Sequence, residues 1–317
     1  MDIVKKMYTQ LEVARILGEP KDPRRPFTKL VGSVCETDSA DSDEYVYYFD
    51  TLLDTDKVVI TTSSGEVQQE SVSPDTPTEL TFVDVSTPEY YIKLNDLTKA
   101  KESTLARKTT TINRALNEYE NYKVVELLAS AASSSGNENT LTSGQTTFSY
   151  NDLVAMIDQV VDYGDKYTLV SSAQIETDIR LWNWNDNKYH NLLDALADLN
   201  LTRVRVGTPQ KFTNYPTPGG SGTVTQVLGT NLCYLVAEDT EMGKPLLFVR
   251  KKLDSIAMLG GVLSDKGEGP ERLIFSSPNP VTVVSTSKRY LAIGLTGYEE
   301  IATAVKNVYA VSKFTRT

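Results

Sequence analysis

The sequence predicts an α+β fold, and three observations carry that prediction. A hairpin-like stretch of alternating residues runs from Tyr45 to Leu94, one very long helical pattern follows to Gly136, and short helices then alternate with strands before the chain turns mainly β. Few soluble folds place a long hairpin directly before so long a helix.

The hairpin reading rests on period-two runs at Val58 to Thr62, Glu79 to Val85 and Tyr90 to Lys93. Ser63-Ser64-Gly65 and Ser73-Pro74-Asp75-Thr76-Pro77 lie between them and supply turn geometry. Such an arm holds too little apolar residue for a core of its own, and two-stranded ribbons are marginal alone. It needs a surface to lie on, and a neighbouring subunit would supply one.

For the helix, Asn95 or Asp96 is the cap, and an acid in the first turn suits the positive end of the dipole. Leu105, Ile112, Leu116, Tyr119, Val124, Leu127, Leu128 and Ala131 form one apolar stripe. No Gly or Pro falls between Asn95 and Gly136, which favours one helix over two shorter ones, with Gly136 as its stop. At the α-helical rise it would be on the order of 50 Å long.

Ser149-x-x-Asp152 opens an amphipathic helix with Leu153, Met156, Ile157, Val160 and Val161 on one face, ended by Gly164. A strand over Tyr167 to Val170 leads to Ser171 or Ser172, the cap of a helix from Gln174 to about Trp182 with Ile175, Ile179 and Trp182 inward. A further helix covers Leu192 to Leu199. Val204 to Val206, Leu232 to Val236, Leu246 to Val249, Val281 to Val284 and Tyr309 to Val311 read as sheet, and Tyr215 to Gly222 as a mobile loop. The sequence shows no internal repeat.

Composition excludes several functions. The 317 residues hold 42 acidic against 32 basic side chains, a net charge of −10, where a DNA-binding surface needs clustered Lys and Arg. The carboxylates crowded between Glu36 and Asp56 lack the glycine turn and distal glutamate of a calcium loop, so added calcium is expected to give no stability gain. Cys35 and Cys233 have no metal or redox spacing and read as buried free thiols. No apolar run approaches membrane length and no amino-terminal signal sequence is seen, so synthesis in a cytoplasm is expected.

No catalytic constellation emerges. His190 is the only histidine and has no second His or Cys nearby to complete a zinc site. Gly219-Gly220-Ser221-Gly222 lacks the closing glycine of a nucleophile elbow, and the β-branched Thr223-Val224-Thr225 stands where a phosphate loop needs a helix. No cofactor is implied and no enzyme activity is expected.

The order of elements, with Tyr167-Thr168-Leu169-Val170-Ser171-Ser172 before the helix at Gln174, then Leu199 to Val206, Thr230 to Ala237 and Tyr290 to Val311, resembles the major capsid protein of tailed bacteriophages, the Hong Kong 97 type. The resemblance spans essentially the whole chain. It implies an amino-terminal arm over 1–30, carrying Lys5, Lys6, Arg15, Arg24, Arg25 and Lys29, and an extended loop with flanking strands over 31–94. It also implies a peripheral domain with the spine helix over 95–148 and 251–300, and an axial domain over 149–250 and 301–317.

By that resemblance the chain is a structural subunit that forms hexamers and pentamers of an icosahedral head. The head would enclose double-stranded DNA without sequence-specific binding. Its partners would be copies of itself, a separate scaffolding protein (Met1 stands directly before the arm), a portal protein and a possible decoration protein, with no membrane involved. Arg24, Arg25, Asp54, Asp56 and Lys57 are the candidate inter-subunit contacts. The β-branched run Thr109-Thr110-Thr111 is the candidate bend of the spine helix, so Thr110→Ala should alter shell expansion. Some members crosslink a loop lysine to a neighbour's asparagine; Lys57 and Asn279 fall near such places but read as an ordinary exposed Lys and a loop Asn.

Other classes stay open. An encapsulin nanocompartment shares the fold, and the spacing of Ile3, Met7, Leu11 and Ala14 would suit a cargo-side helix. A soluble enzyme would form small discrete oligomers, and a tail-tube protein stacked rings.

Overall fold

The computed structural model describes residues 29–41, 45–47, 78–93, 101–141, 144–182, 196–207, 210–214, 221–240, 243–253, 271–276, 281–285 and 288–316. The chain enters through a single helical turn, α1 (Val31–Val34), and strand β1 (Cys35–Ala40). Next come β2 (Tyr45–Tyr47), β3 (Thr78–Leu80), β4 (Val83–Ser86) and β5 (Tyr90–Lys93), then the long helix α2 (Lys101–Ser135) and β6 (Glu138–Thr140). Helix α3 (Tyr150–Val160) runs into a 3-10 turn at Val161–Tyr163 and is followed by β7 (Lys166–Ser172), α4 (Ala173–Arg180) and β8 (Leu201–Val206). The remaining strands are β9 (Lys211–Asn214), β10 (Thr223–Gln226), β11 (Leu232–Glu238), β12 (Leu246–Lys251), β13 (Arg272–Ser276), β14 (Val281–Ser285), β15 (Lys288–Val305) and β16 (Val311–Thr315).

A seven-stranded sheet is organised around β15, an 18-residue strand. Its register shows how one strand serves so many partners. Ile301 pairs with Arg250 on one side and Val83 on the other, and Glu299 with Arg272 and Val85. Leu295 pairs with Ser276 and Tyr90, and Ala292 with Val281 and Lys93. Thus β12, β13 and β14 follow end to end along one edge of β15, and β4 and β5 along the other. Strand β1 extends the sheet beyond β12 in parallel. Between β4 and β5, Thr87 exchanges two 2.9 Å hydrogen bonds with Gly297: its amide donates to the glycine carbonyl and its hydroxyl accepts from the glycine amide. A Cβ at Gly297 would stand 2.3 Å from the Ile112 side chain, so the bare backbone there lets α2 seat on the sheet.

The five-stranded sheet has the order β6-β16-β11-β7-β8. Alternation along its central strand feeds two cores: Cys233, Leu235 and Ala237 join Phe148, Leu153, Met156 and Phe314 beneath α3 and α4, while Tyr234 and Val236 join the core that contains the α2 stripe. Both faces are buried, which explains the near-continuous apolar run. The amphipathic helix forms where expected: Ser149 and Asp152 make a reciprocal capping box, and Leu153, Met156, Ile157 and Val160 are buried. Ser172, of the two candidate caps, accepts from the Ile175 amide. Both cysteines are buried and free, and burial pushes the Cys35 thiol up to about 12 and the Cys233 thiol higher.

Helix α2 is unbroken over 35 residues, and Gly136 follows at φ +75°, the left-handed stop that glycine adopts without a Cβ clash. Ile112, Leu116, Val124, Leu128 and Ala131 of the expected stripe are buried. The cap at Asn95 or Asp96 lies outside the described residues.

The hairpin expectation needs correction in part. Strands β2 and β3 pair antiparallel, Tyr45 opposite Leu80 and Tyr47 opposite Thr78. Residues 48–77, with the expected strand at Val58 to Thr62, lie outside the described residues. The run Glu79 to Val85 is two strands, because the chain leaves the β2 ladder at Leu80 and joins the β15 ladder at Val83. Strand β5 belongs to the seven-stranded sheet rather than to the arm. At the other end of the chain, Tyr309 and Ala310 form a turn and the strand begins at Val311. The Asn307 carboxamide accepts from the Tyr309 amide, and the Ala310 carbonyl accepts from Ala237.

Leu80 and Tyr45 also contribute to a small third core with Ala40, Leu247, Val249, Ala302 and Phe82. The hairpin base is therefore fixed to the large sheet by apolar packing.

Candidate functional site

The long helix meets the large sheet through a buried charge network as well as apolar residues. Glu118, Glu120 and Asn121 are all at least 97% buried on α2 (3%, 2% and 1% exposed), positions that an apolar stripe alone would not fill with acids. Glu118 pairs with Arg114 one turn earlier at 2.8 Å. Asn121 Oδ1 accepts the Leu30 amide at 2.9 Å, tying the entry to α1 onto the helix.

Glu120 points to the sheet. Its Oε1 receives Arg250 Nε of β12 at 2.7 Å and Arg272 Nη2 of β13 at 3.1 Å. Arg272 continues the network: Nε meets Glu299 Oε2 of β15 at 2.6 Å and Nη1 donates to Asn117 Oδ1 of α2 at 2.8 Å. Arg250 reaches Glu271 at 3.8 Å and lies over the Phe248 ring at 5.0 Å. One guanidinium fork thus joins three elements, a use to which arginine geometry is suited. Glu299 is fully buried, and its second oxygen, Oε1, meets no hydrogen-bond donor among the described residues. Burial raises the Glu299 carboxyl from the usual carboxylate range to about 7; Arg272 opposes the shift and Glu120 adds to it.

A second seam joins α2 to the β9/β10 ribbon. Phe212 meets Tyr119 and Tyr122 edge-on, with ring centroids 5.5 and 5.3 Å apart.

No protein-family model matches the chain, and no curated protein matches it. Solved structures do match. A structure from Mycobacterium phage Adephagia aligns over 97% of both chains with a TM-score of 0.56 at 11% identity. The capsid structure of cyanophage P-SCSP1u aligns over 94% of this chain and 90% of that one, with a TM-score of 0.55 at 9% identity. One from Mycobacterium phage Bobi aligns over 97% and 98%, with a TM-score of 0.53 at 14% identity. The fold is that of a phage capsid protein.

Within this capsid fold, the candidate contacts Arg24, Arg25, Asp54, Asp56 and Lys57 lie outside the described residues, as do Asn279 and His190. Thr109 and Thr110 are half-buried on α2 and Thr111 is exposed. The Thr111 hydroxyl donates to the Arg107 carbonyl at 2.8 Å, a back-bond that competes with the helical ladder, yet the helix runs through all three. Thr223 lies on a strand paired with β9, so the glycine-rich segment before it does not lead into a helix. Among the described residues no cluster of three or more His, Cys, Asp or Glu side chains could hold a metal, and no helix is long and apolar enough to cross a membrane.

Sequence reasoning missed the charge network. Its signal was present, since Glu120 stands four residues from both Leu116 and Val124 and so shares their face of the helix.

Proposed function

We propose that this chain is the major capsid protein of a tailed phage, a structural subunit that assembles through hexamers and pentamers into an icosahedral shell around double-stranded DNA. The observation that carries the reading is the fold, matched over 94% of this chain and 90% of the chain in the capsid structure of cyanophage P-SCSP1u. The helix α2 and the seven-stranded sheet would form the peripheral domain, and the five-stranded sheet with α3 and α4 the axial domain. The arm, 1–30, and the loop beyond β2 and β3 would reach neighbouring subunits through Arg24, Arg25, Asp54, Asp56 and Lys57. A net charge of −10 suits a wall that must not hold packaged DNA, because phosphate affinity comes from clustered cations. Scaffolding, portal and decoration proteins would be separate chains, and Thr109 to Thr111 would be where the helix bends as the shell expands.

Sedimentation velocity of the purified chain, made alone and with a candidate scaffolding protein, tests the proposal. A fast-sedimenting species of shell mass is expected in at least one preparation. Discrete small oligomers in both would favour a soluble enzyme or another oligomer.

A further inference from the structure

Beyond its place in a shell, the seam between α2 and the large sheet has an unbalanced charge. Three carboxylates, Glu120, Glu271 and Glu299, face two guanidiniums, Arg250 and Arg272. Among the described residues the groups are Glu120 and Asn117 from α2, Arg250 from β12, Glu271 and Arg272 at β13, Glu299 from β15, and Ser39 of β1, whose hydroxyl donates to Glu271 at 2.6 Å. Strand β4 contributes only the apolar Val85 opposite Glu299. On α2 the next charges toward the amino terminus, Arg114 and Glu118, pair with each other.

Glu271 keeps 41% of its side chain exposed, so water can stabilise its charge. Glu299 has no such outlet. One of its oxygens is held by Arg272, and the other is buried with no donor among the described residues, so full ionisation places charge on an oxygen that no described guanidinium compensates. A single proton on Glu299, which shares Arg272 with Glu120, makes the five groups neutral.

We propose that the Glu299 carboxyl is a proton-linked lock: with its proton on, the long helix is held closed on the seven-stranded sheet through Arg272 and Glu120, and loss of that proton loosens the seam. The elevated Glu299 value agrees with this. A carboxyl that is protonated when buried and ordinary when released stabilises the closed seam fully below the ordinary carboxylate range, and that contribution is lost as pH rises through about 7. Opening therefore releases a proton between the ordinary carboxylate range and about pH 7, so the opening equilibrium rises by up to about tenfold per pH unit in that window and is level above it, where the closed seam has already lost the proton.

Hydrogen exchange of the full-length protein, read on peptides covering residues 112–124 and 295–303 and corrected for intrinsic exchange rates, tests the lock between pH 5 and 9. In the native chain, protection should fall by up to about tenfold per unit as pH rises from about 5 to about 7 and be level above that. Glu299→Gln, a neutral isostere, should give a level profile across the range. Should that variant not fold, Glu120→Gln removes the same excess charge and should flatten the profile likewise. A level profile in the native chain overturns the proposal, and so does an unchanged slope in a folded Gln variant. Peptides from α3 and β7 serve as the pH-insensitive reference.

Discussion

The two sheets bury their helices by different physics. Between the five-stranded sheet and α3 and α4 lie Phe148, Leu153, Met156, Leu169, Ile175 and Phe314, all fully buried and packed in one core. A buried acid beside that core, Asp178, is matched: it accepts the Phe148 amide at 3.0 Å and pairs with Arg316 at 3.4 Å. Beneath α2, the seven-stranded sheet adds to its apolar contacts an ionic network with one oxygen left over. An apolar seam is strong but indifferent to register, whereas a guanidinium fork shared by three elements fixes one position and responds to protons. A long helix that crosses two sheets gains from having one contact of each kind.

Substitutions at the two seams should separate these mechanisms. The largest effects are expected from removing one buried partner in each. Arg272→Ala leaves Glu299 and half of the Glu120 contacts without a cation, which should cost about 3 to 5 kcal/mol. Because the orphaned Glu299 carboxyl takes up a proton more readily at low pH, the loss should be smaller at pH 6 than at pH 8. Phe314→Ala opens a cavity against Phe148, whose ring centroid is 4.8 Å away, and should cost a similar ~3 to 5 kcal/mol. That loss should not change between the two pH values. Thermal and denaturant unfolding at pH 6 and pH 8 would check both, and equal pH dependence in the two variants would erase the distinction drawn here.

A smaller effect is expected at the edge of the apolar seam. Ser149→Ala removes the hydroxyl half of the α3 capping box, the bond accepted from the Asp152 amide, while the backbone amide at position 149 keeps its bond to the Asp152 carboxylate, and should cost about 1 kcal/mol. Loss of protection confined to residues 150–157 would place the damage at the first turn of α3. A loss spread over the whole sheet would mean that the cap supports more than its own helix.

What could be read from the sequence follows the same division. Local signals were legible: the unbroken stripe of α2, its glycine stop, the Ser149 box and the Ser172 cap each depend on neighbours within a few residues. The alternation of β11 and the sheet run of β12 were legible too, because burial on both faces leaves little choice of residue. Long-range partnership was not. The break between Leu80 and Val83 exists because the ladder partner changes from Tyr45 to Ile301, and nothing within the run announces that exchange. Likewise, Tyr309 looks like a strand residue until Asn307 folds its amide into a turn. The charge network was half legible. Glu120 on an apolar face marks a buried acid, but the identity of its partners, Arg250 and Arg272, depends on how β12 and β13 line up along β15.

The central claim is that this fold builds a closed shell, and electron microscopy of the purified particles tests it most directly. The account predicts closed, icosahedral shells with capsomers of six and five subunits, in which the segment between Tyr47 and Thr78 reaches a neighbouring subunit. Monodisperse small oligomers under every condition, or stacked tubular rings, would contradict it.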